Sequence, residues 1–255
     1  MNGLSDASVG ISSDSRCRAL PSEYAARMEV GLGDLLKFRG GQRESFARDG
    51  YVAVRQALPA ETITRWRDRA HDLFTHARDI DKRSDGHVLA YRVLTGEVIR
   101  DEFTELYDFY TAPSTLRWVT KVTGEREIHV SPNMRSAVNI NILQSGHSYR
   151  WHFDANPYTA LLYLSTTPPS AGGQLELFPN LGPEDTSPTH LAARQKVTLP
   201  TRAGTLVLMD GSITYHRVAP VVEACERLSV PMVYPPFREE LRPPELDDYL
   251  YGSDS

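Results

Sequence analysis

The chain has 255 residues, of which 40% are hydrophobic, enough for one domain with a substantial core and too few for several. Its 28 Lys and Arg against 33 Asp and Glu leave a formal charge of −5, without the basic footprint of a nucleic-acid binder, so a small molecule is the expected partner. Two cysteines, Cys17 and Cys225, exclude a disulfide framework, and no apolar run reaches about 18 residues, which predicts a reducing, cytoplasmic protein without a membrane span.

Residues 1 to 20 are expected to be a mobile N-terminus, and 21 to 255 a single domain with helical support over about 43–125, a β core over about 126–236 and a tail from 237. Phe46 to Val54 reads as a helix running into a strand. Pro59 opens a helix to about Arg78, in which Ile63, Trp66, Ala70, Phe74 and Ala77 form an apolar stripe. A second helical region spans about 100–122 and breaks near Pro113, its Phe103, Tyr107, Phe109 and Tyr110 packing against the β core. Eight strand-like runs follow: 136–144, 149–155, 159–165, 172–178, 196–200, 205–210, 214–221 and 227–234. This pattern predicts a mainly β protein with flanking helices, its core a double-stranded β-helix of jelly-roll, cupin-like form. The insertion at 179–195 is expected at the barrel mouth, where long loops act as lids, and the tail from about 243 is expected to be mobile or to order late. The sequence leaves monomer or homodimer open.

Chemistry concentrates at Trp151-His152-Phe153-Asp154. In a strand, side chains alternate between faces, so His152 and Asp154 point together and supply two corners of a metal site. His216, from a distant strand, completes a two-histidine, one-carboxylate triad that leaves three cis positions open, an arrangement suited to ferrous iron and dioxygen. With eight histidines in the chain, a single HxD arises readily by chance. The downstream order strengthens it: Ala203 to Asp210, Thr214 to Val218 and Arg227 to Val230 are each a turn feeding a strand. His147 reads as a turn residue outside this site.

His152, Asp154, His216, Arg227 and Ser229, with Gly172-Gly173-Gln174-Leu175 and the Ala203-Gly204-Thr205 turn, resemble the iron(II)- and 2-oxoglutarate-dependent oxygenases, near the amino-acid hydroxylases and halogenases, over about residues 43–236. The resemblance implies Fe(II), 2-oxoglutarate as cosubstrate, O2, and ascorbate as a stimulant. It also implies a role for Arg227, eleven residues beyond His216, as the bidentate partner of the far 2-oxoglutarate carboxylate. Ser229 shares that strand face, whereas Leu228, Val230 and Met232 alternate onto the packed face. A surface ion pair with Glu226 is the competing role for Arg227. Halogenating members of the resembling family carry Gly or Ala at the carboxylate position, so Asp154 implies hydroxylation, with desaturation and ring formation sharing the same hydrogen-abstraction step.

Further contacts are expected from the strand alternation. Asn139 and Asn141 face the barrel interior, Asn141 and Tyr163 toward the cofactor, with ordinary barrel hydrogen bonding as the competing role for the amides. Arg135, Arg150 and Arg92, together with Asn139, are candidate substrate contacts. Arginines without local acidic partners point to a substrate bearing a carboxylate, such as a free or modified amino acid or a natural-product intermediate. Two other functions stay open: hydroxylation of a protein or carrier-tethered substrate, and a barrel that binds metal or ligand without turnover.

Overall fold

The computed structural model describes residues 32–84, 87–239 and 244–252. The expectation for residues 1–20 lies outside them. In chain order the elements are α1 (Gln42–Asp49), β1 (Tyr51–Val54), α2 (Ala60–Asp72), β2 (Arg78–Ser84), β3 (His87–Leu94), α3 (Gly96–Glu102), α4 (Thr104–Thr111), α5 (Pro113–Thr123), α6 (Met134–Ala137), β4 (Ile140–Leu143), β5 (Ser148–His152), β6 (Tyr158–Tyr163), β7 (Leu175–Phe178), α7 (Pro188–Ala192), β8 (Val197–Leu199), β9 (Leu206–Asp210), β10 (Tyr215–Val218), β11 (Arg227–Val233) and α8 (Pro244–Tyr251).

The strands join in the order β1-β9-β6-β11-β4-β3-β5-β10-β7-β8, with β2 paired to β3. The eight expected runs are β4 to β11. They separate into β9-β6-β11-β4 and β5-β10-β7-β8, successive strands contributing alternately to each group except β7 and β8, which both belong to the second. That alternation is the double-stranded β-helix.

The central strands read as continuous apolar runs because both of their faces are covered. Ala160, Leu162, Leu206, Leu208, Val230 and Met232 pack toward the helices, in one cluster with Trp66, Phe109 and Trp118. Leu161, Tyr163, Val207 and Met209 face inward and meet Leu175 and Leu177 of the opposite group. Trp66 is fully buried and meets Phe103 and Phe109 edge-on at ring centroids 6.0 and 5.5 Å apart. A ring so enclosed contributes several kcal/mol of apolar burial, on the order of 3–5 kcal/mol if truncated to Ala.

Several boundaries differ from the expectation. α2 stops at Asp72, because a 3-10 turn at Phe74–His76 redirects the chain into β2. The β2–β3 hairpin was not anticipated: β2 (RDIDKRS) pairs with one neighbour only and needs no two-sided apolar pattern. Residues 136–139 are not strand. Asn133 caps a helical turn, its side-chain oxygen accepting from the Arg135 amide at 3.1 Å, and β4 begins only at Ile140.

The tail also departs from expectation. Pro244–Tyr251 is the helix α8. Asn133 Nδ2 donates to Asp247 Oδ2 at 2.5 Å, Arg78 Nη1 donates to the Gly252 carbonyl at 3.3 Å, and Tyr251 joins a buried cluster with Ile80, Leu89, Tyr91 and Val93. These contacts reach back to the unanticipated hairpin.

Candidate functional site

β5 and β10 pair so that His152 stands directly opposite His216. Beyond that pair, Val218 faces Tyr149, so β5 takes three residue steps where β10 takes two. Such a bulge re-aims side chains, and here Tyr149, Arg150 and His152 all reach the same cavity. β5 ends at His152, so Asp154 lies in the following turn and not on the strand face expected for it. Its amide donates to the Gly211 carbonyl at 2.9 Å, and the Gly211 amide donates to the Pro157 carbonyl at 2.6 Å. Gly211 is required there, since an added Cβ would stand 2.7 Å from Cβ and Cγ of Asp154.

The three side chains nevertheless converge. Asp154 Oδ1 lies 3.5 Å from His152 Nε2 and 3.6 Å from His216 Nε2, and the ligand atoms of this group fall within 4.8 Å of one another. Thr159 Oγ1 donates to the other oxygen, Oδ2, at 2.7 Å. Each imidazole has Nδ1 at 2.8 Å from a backbone carbonyl, His152 from Arg150 and His216 from Thr214. A carbonyl only accepts, so Nδ1 carries the hydrogen and Nε2 keeps its lone pair toward the centre. Two imidazole nitrogens and one carboxylate oxygen, with the opposite side facing a cavity, could hold a divalent metal with open positions.

Burial pushes His216 down to about 4, the neighbouring His152 adding to the shift, so its imidazole is neutral at physiological pH. Burial alone would raise the Asp154 carboxyl. The opposing pull of His216, His152 and Thr159 wins and holds it well below the usual carboxylate range. A neutral His216 imidazole beside an ionised Asp154 carboxylate suits metal binding.

The second half of the site is Arg227, 1% exposed. Its Nη1 donates to Ser229 Oγ at 2.8 Å and its guanidinium lies 5.1 Å from the Tyr163 ring centroid. Among the described residues Nε and Nη2 make no hydrogen bond of ordinary geometry, nor does the Tyr163 hydroxyl, which stands close to the guanidinium. Ser229 pairs with Asn141 on one side and Tyr163 on the other, so Asn141, Ser229 and Tyr163 form one rung across β4, β11 and β6. Glu226 is engaged by His71 at 2.7 Å, so the competing ion pair with Arg227 does not form. Gly173, at φ +75°, leaves room for Arg227, whose Cδ would lie 3.2 Å from an added Cβ.

Both halves open onto one cavity of about 260 Å³. Of the residues singled out from sequence, His152, Asp154, His216, Arg227, Ser229, Asn139, Asn141 and Arg150 line it. Tyr163 lies behind the lining, on the Ser229 rung. Arg135 and Arg92 are not in the lining. Arg135 belongs to the helical turn α6, where strand alternation does not apply, and pairs with Asp248 at 3.2 Å. Arg92 pairs with Asp79 at 2.9 Å and donates to the Phe74 carbonyl. No residue of 179–195 lines the cavity; Leu246, Tyr249, Leu250 and Tyr251 of α8 do.

Two contributors escaped the sequence reading. Thr159 has the parity of Leu161 and Tyr163, which would have aimed it inward. Leu246, Tyr249 and Leu250 have the i, i+3, i+4 spacing of a helix face, which would have flagged the tail as packed.

Solved structures share this architecture. The non-heme alpha ketoglutarate dependent epimerase SnoN from nogalamycin biosynthesis is 18% identical, with 83% of each chain covered and a TM-score of 0.59. AviO1 from Streptomyces viridochromogenes Tue57 is 19% identical, with 81% of this chain and 97% of that one covered and a TM-score of 0.61. A Pseudomonas putida prolyl-4-hydroxylase is 18% identical, with 82% of this chain and 100% of that one covered and a TM-score of 0.57. No curated protein sequence matches the chain. The fold is that of the non-heme iron, 2-oxoglutarate-dependent oxygenases, and the His-Asp-His group stands within it. Within that class a family model described as Halogenase D matches residues 38–244, and the chain belongs to that family.

Proposed function

We propose that this protein is an iron(II)- and 2-oxoglutarate-dependent hydroxylase of a small molecule, such as a free or modified amino acid or a natural-product intermediate. The observation that carries the reading is Arg227: a buried guanidinium with two unpartnered nitrogens, opening onto the same cavity as the His152, Asp154, His216 group. An unpaired buried cation is costly and is retained where an anionic ligand completes it.

In this reading His152, His216 and Asp154 hold the metal. Arg227 and Ser229 bind the far carboxylate of 2-oxoglutarate, with Asn141 and Tyr163 orienting it from the neighbouring strands of the rung. Bound iron supplies the redox chemistry, in which O2, 2-oxoglutarate and a substrate C–H become succinate, CO2 and a C–OH. The protein's own residues orient and exclude. Backbone carbonyls fix the imidazole tautomers, Thr159 fixes the carboxylate, and Leu161, Met209 and α8 keep water from the cavity. Ascorbate is the expected stimulant, keeping the metal reduced.

Membership of the Halogenase D family favours halide transfer as a second reading. Asp154 opposes it by filling the position a halide would need. Anaerobic titration of the iron(II)-loaded protein with 2-oxoglutarate tests the first reading through the weak visible charge-transfer band of the chelate, which Arg227→Met and His216→Ala should each remove. Absence of the band in folded, metal-loaded protein would sink the oxygenase reading in favour of a binding barrel. Product mass in the presence of chloride or bromide separates hydroxylation from halogenation.

A further inference from the structure

The described lining of the cavity holds two guanidiniums, Arg150 and Arg227, and a single carboxylate, Asp154. Asp154 is already committed, one oxygen toward the two imidazoles and the other accepting from Thr159. Among the described residues no lining carboxylate therefore remains for a substrate ammonium. The amides of Asn139 and Asn141 can accept hydrogen bonds there, but they do not neutralise a buried cation.

Arg150 stands at the exposed rim of the same cavity, two residues before His152. Its guanidinium lies 5.4 Å from the ring centroid of Tyr249 on α8. Among the described residues no carboxylate is within ion-pair distance of it, whereas Arg135 and Arg92 are matched by Asp248 and Asp79. Stacking on an aromatic face holds a guanidinium in place and leaves its N–H edge free, the geometry for a planar, bidentate anion. The backbone on either side is also held: the Arg150 carbonyl faces His152 Nδ1 at 2.8 Å, and Tyr149 packs on the His152 ring at 4.6 Å.

We propose that Arg150, braced by Tyr249, is the substrate-recognition subsite, and that the substrate is an organic acid held by its carboxylate at the cavity mouth. This rests on the oxygenase reading above and adds the substrate class. A carboxylate at Arg150 leaves the rest of a small acid to extend past Asn139 and Asn141 toward the triad.

The test uses the full chain loaded with zinc(II), which prevents turnover, and saturated with 2-oxoglutarate so that Arg227 is occupied. Saturation-transfer NMR is run against matched sets of small compounds: a carboxylic acid, its methyl ester and the amine of the same carbon skeleton. The acids are expected to bind and their esters and amines to fail. Arg150→Gln should weaken the best acid about tenfold or more, and Tyr249→Ala several-fold, with Tyr249→Phe near wild type. The inference is overturned if esters or amines bind as well as acids, if no acid binds, or if Arg150→Gln leaves acid affinity unchanged. 2-Oxoglutarate affinity, measured on the same samples, keeps the two readings apart. It should be unaltered in Arg150→Gln, and its absence in the wild type would overturn the cofactor reading while the acid series still judges Arg150.

Discussion

Thr159 holds Asp154 by a 2.7 Å hydrogen bond to Oδ2, which leaves Oδ1 to face both imidazoles. Partners of this kind orient a ligand without touching the metal, and their loss costs roughly 10–100-fold in metal affinity. Thr159→Val is expected to weaken nickel(II) or zinc(II) binding by about tenfold, with Thr159→Ser close to wild type. Calorimetric titration at fixed pH checks both. Unchanged affinity in the valine variant would show that the carboxylate is positioned without Thr159.

Gly211 makes the same point from the backbone. An added Cβ would overlap the Asp154 side chain, so Gly211→Ala must push the carboxylate away from the histidines. Metal affinity is expected to fall more than thermal stability of the metal-free protein, because Gly211 sits at the end of β9 and outside the main apolar core. Comparison of melting curves with and without zinc(II) gives the answer.

Arg227 should behave unlike an ordinary buried residue. Its guanidinium is enclosed without a counter-charge, so Arg227→Met is expected to leave the ligand-free protein as stable as wild type or more so. The stabilisation that 2-oxoglutarate confers should disappear in the same variant. Thermal melts over a range of 2-oxoglutarate concentrations show both effects. A large loss of stability without ligand would mean that Arg227 is structural.

Tyr110 ties the helices to the sheet. Its hydroxyl accepts from the Ser131 amide at 2.8 Å and donates to the Val233 carbonyl at 3.0 Å, wholly within the core. Tyr110→Phe leaves both groups buried and unpaired, at a cost of about 1–3 kcal/mol. Urea denaturation should show this as a lower midpoint with an unchanged slope.

Glu176 couples stability to acid pH. Burial alone would raise its carboxyl, but Lys196 and Arg217, each at 2.6 Å, lower it below the ordinary value. A carboxyl depressed in the folded state stabilises above its unfolded pKa, and that contribution is lost as pH falls through the folded value. The stability gap between wild type and Glu176→Gln should therefore be widest near neutrality and close below about pH 4. A gap independent of pH would mean that the ion pairs contribute no net charge effect.

Local pattern was enough to place the eight core strands and to put His152 beside Asp154, because turns, alternation and the spacing of ligands are short-range properties of a chain, whereas Arg227 and Ser229 were singled out by resemblance to a family. Asn139 and Asn141 both line the cavity, although Asn139 precedes β4 and only Asn141 lies on a strand. Alternation failed where a local event interrupts it. The capped turn at 134–137 carried Arg135 away to Asp248, and the bulge between β5 and β10 brought Tyr149 to the cavity beside Arg150 and His152. Asp154 shows both sides: its partnership with His152 was legible from spacing, yet the turn that holds it depends on Gly211 and Thr159, residues distant or unpaired in the one-dimensional pattern.

Long-range docking decided the rest. α8 is short and acidic in its first turn, features that read as a free tail. Only the β2–β3 hairpin and Asn133, more than a hundred residues earlier, give its apolar face something to cover. A residue's conformational preference is set by its neighbours in sequence. Which arginine keeps its charge unmatched, and which aromatic closes the cavity, is set by elements that meet only once the sheet has curled.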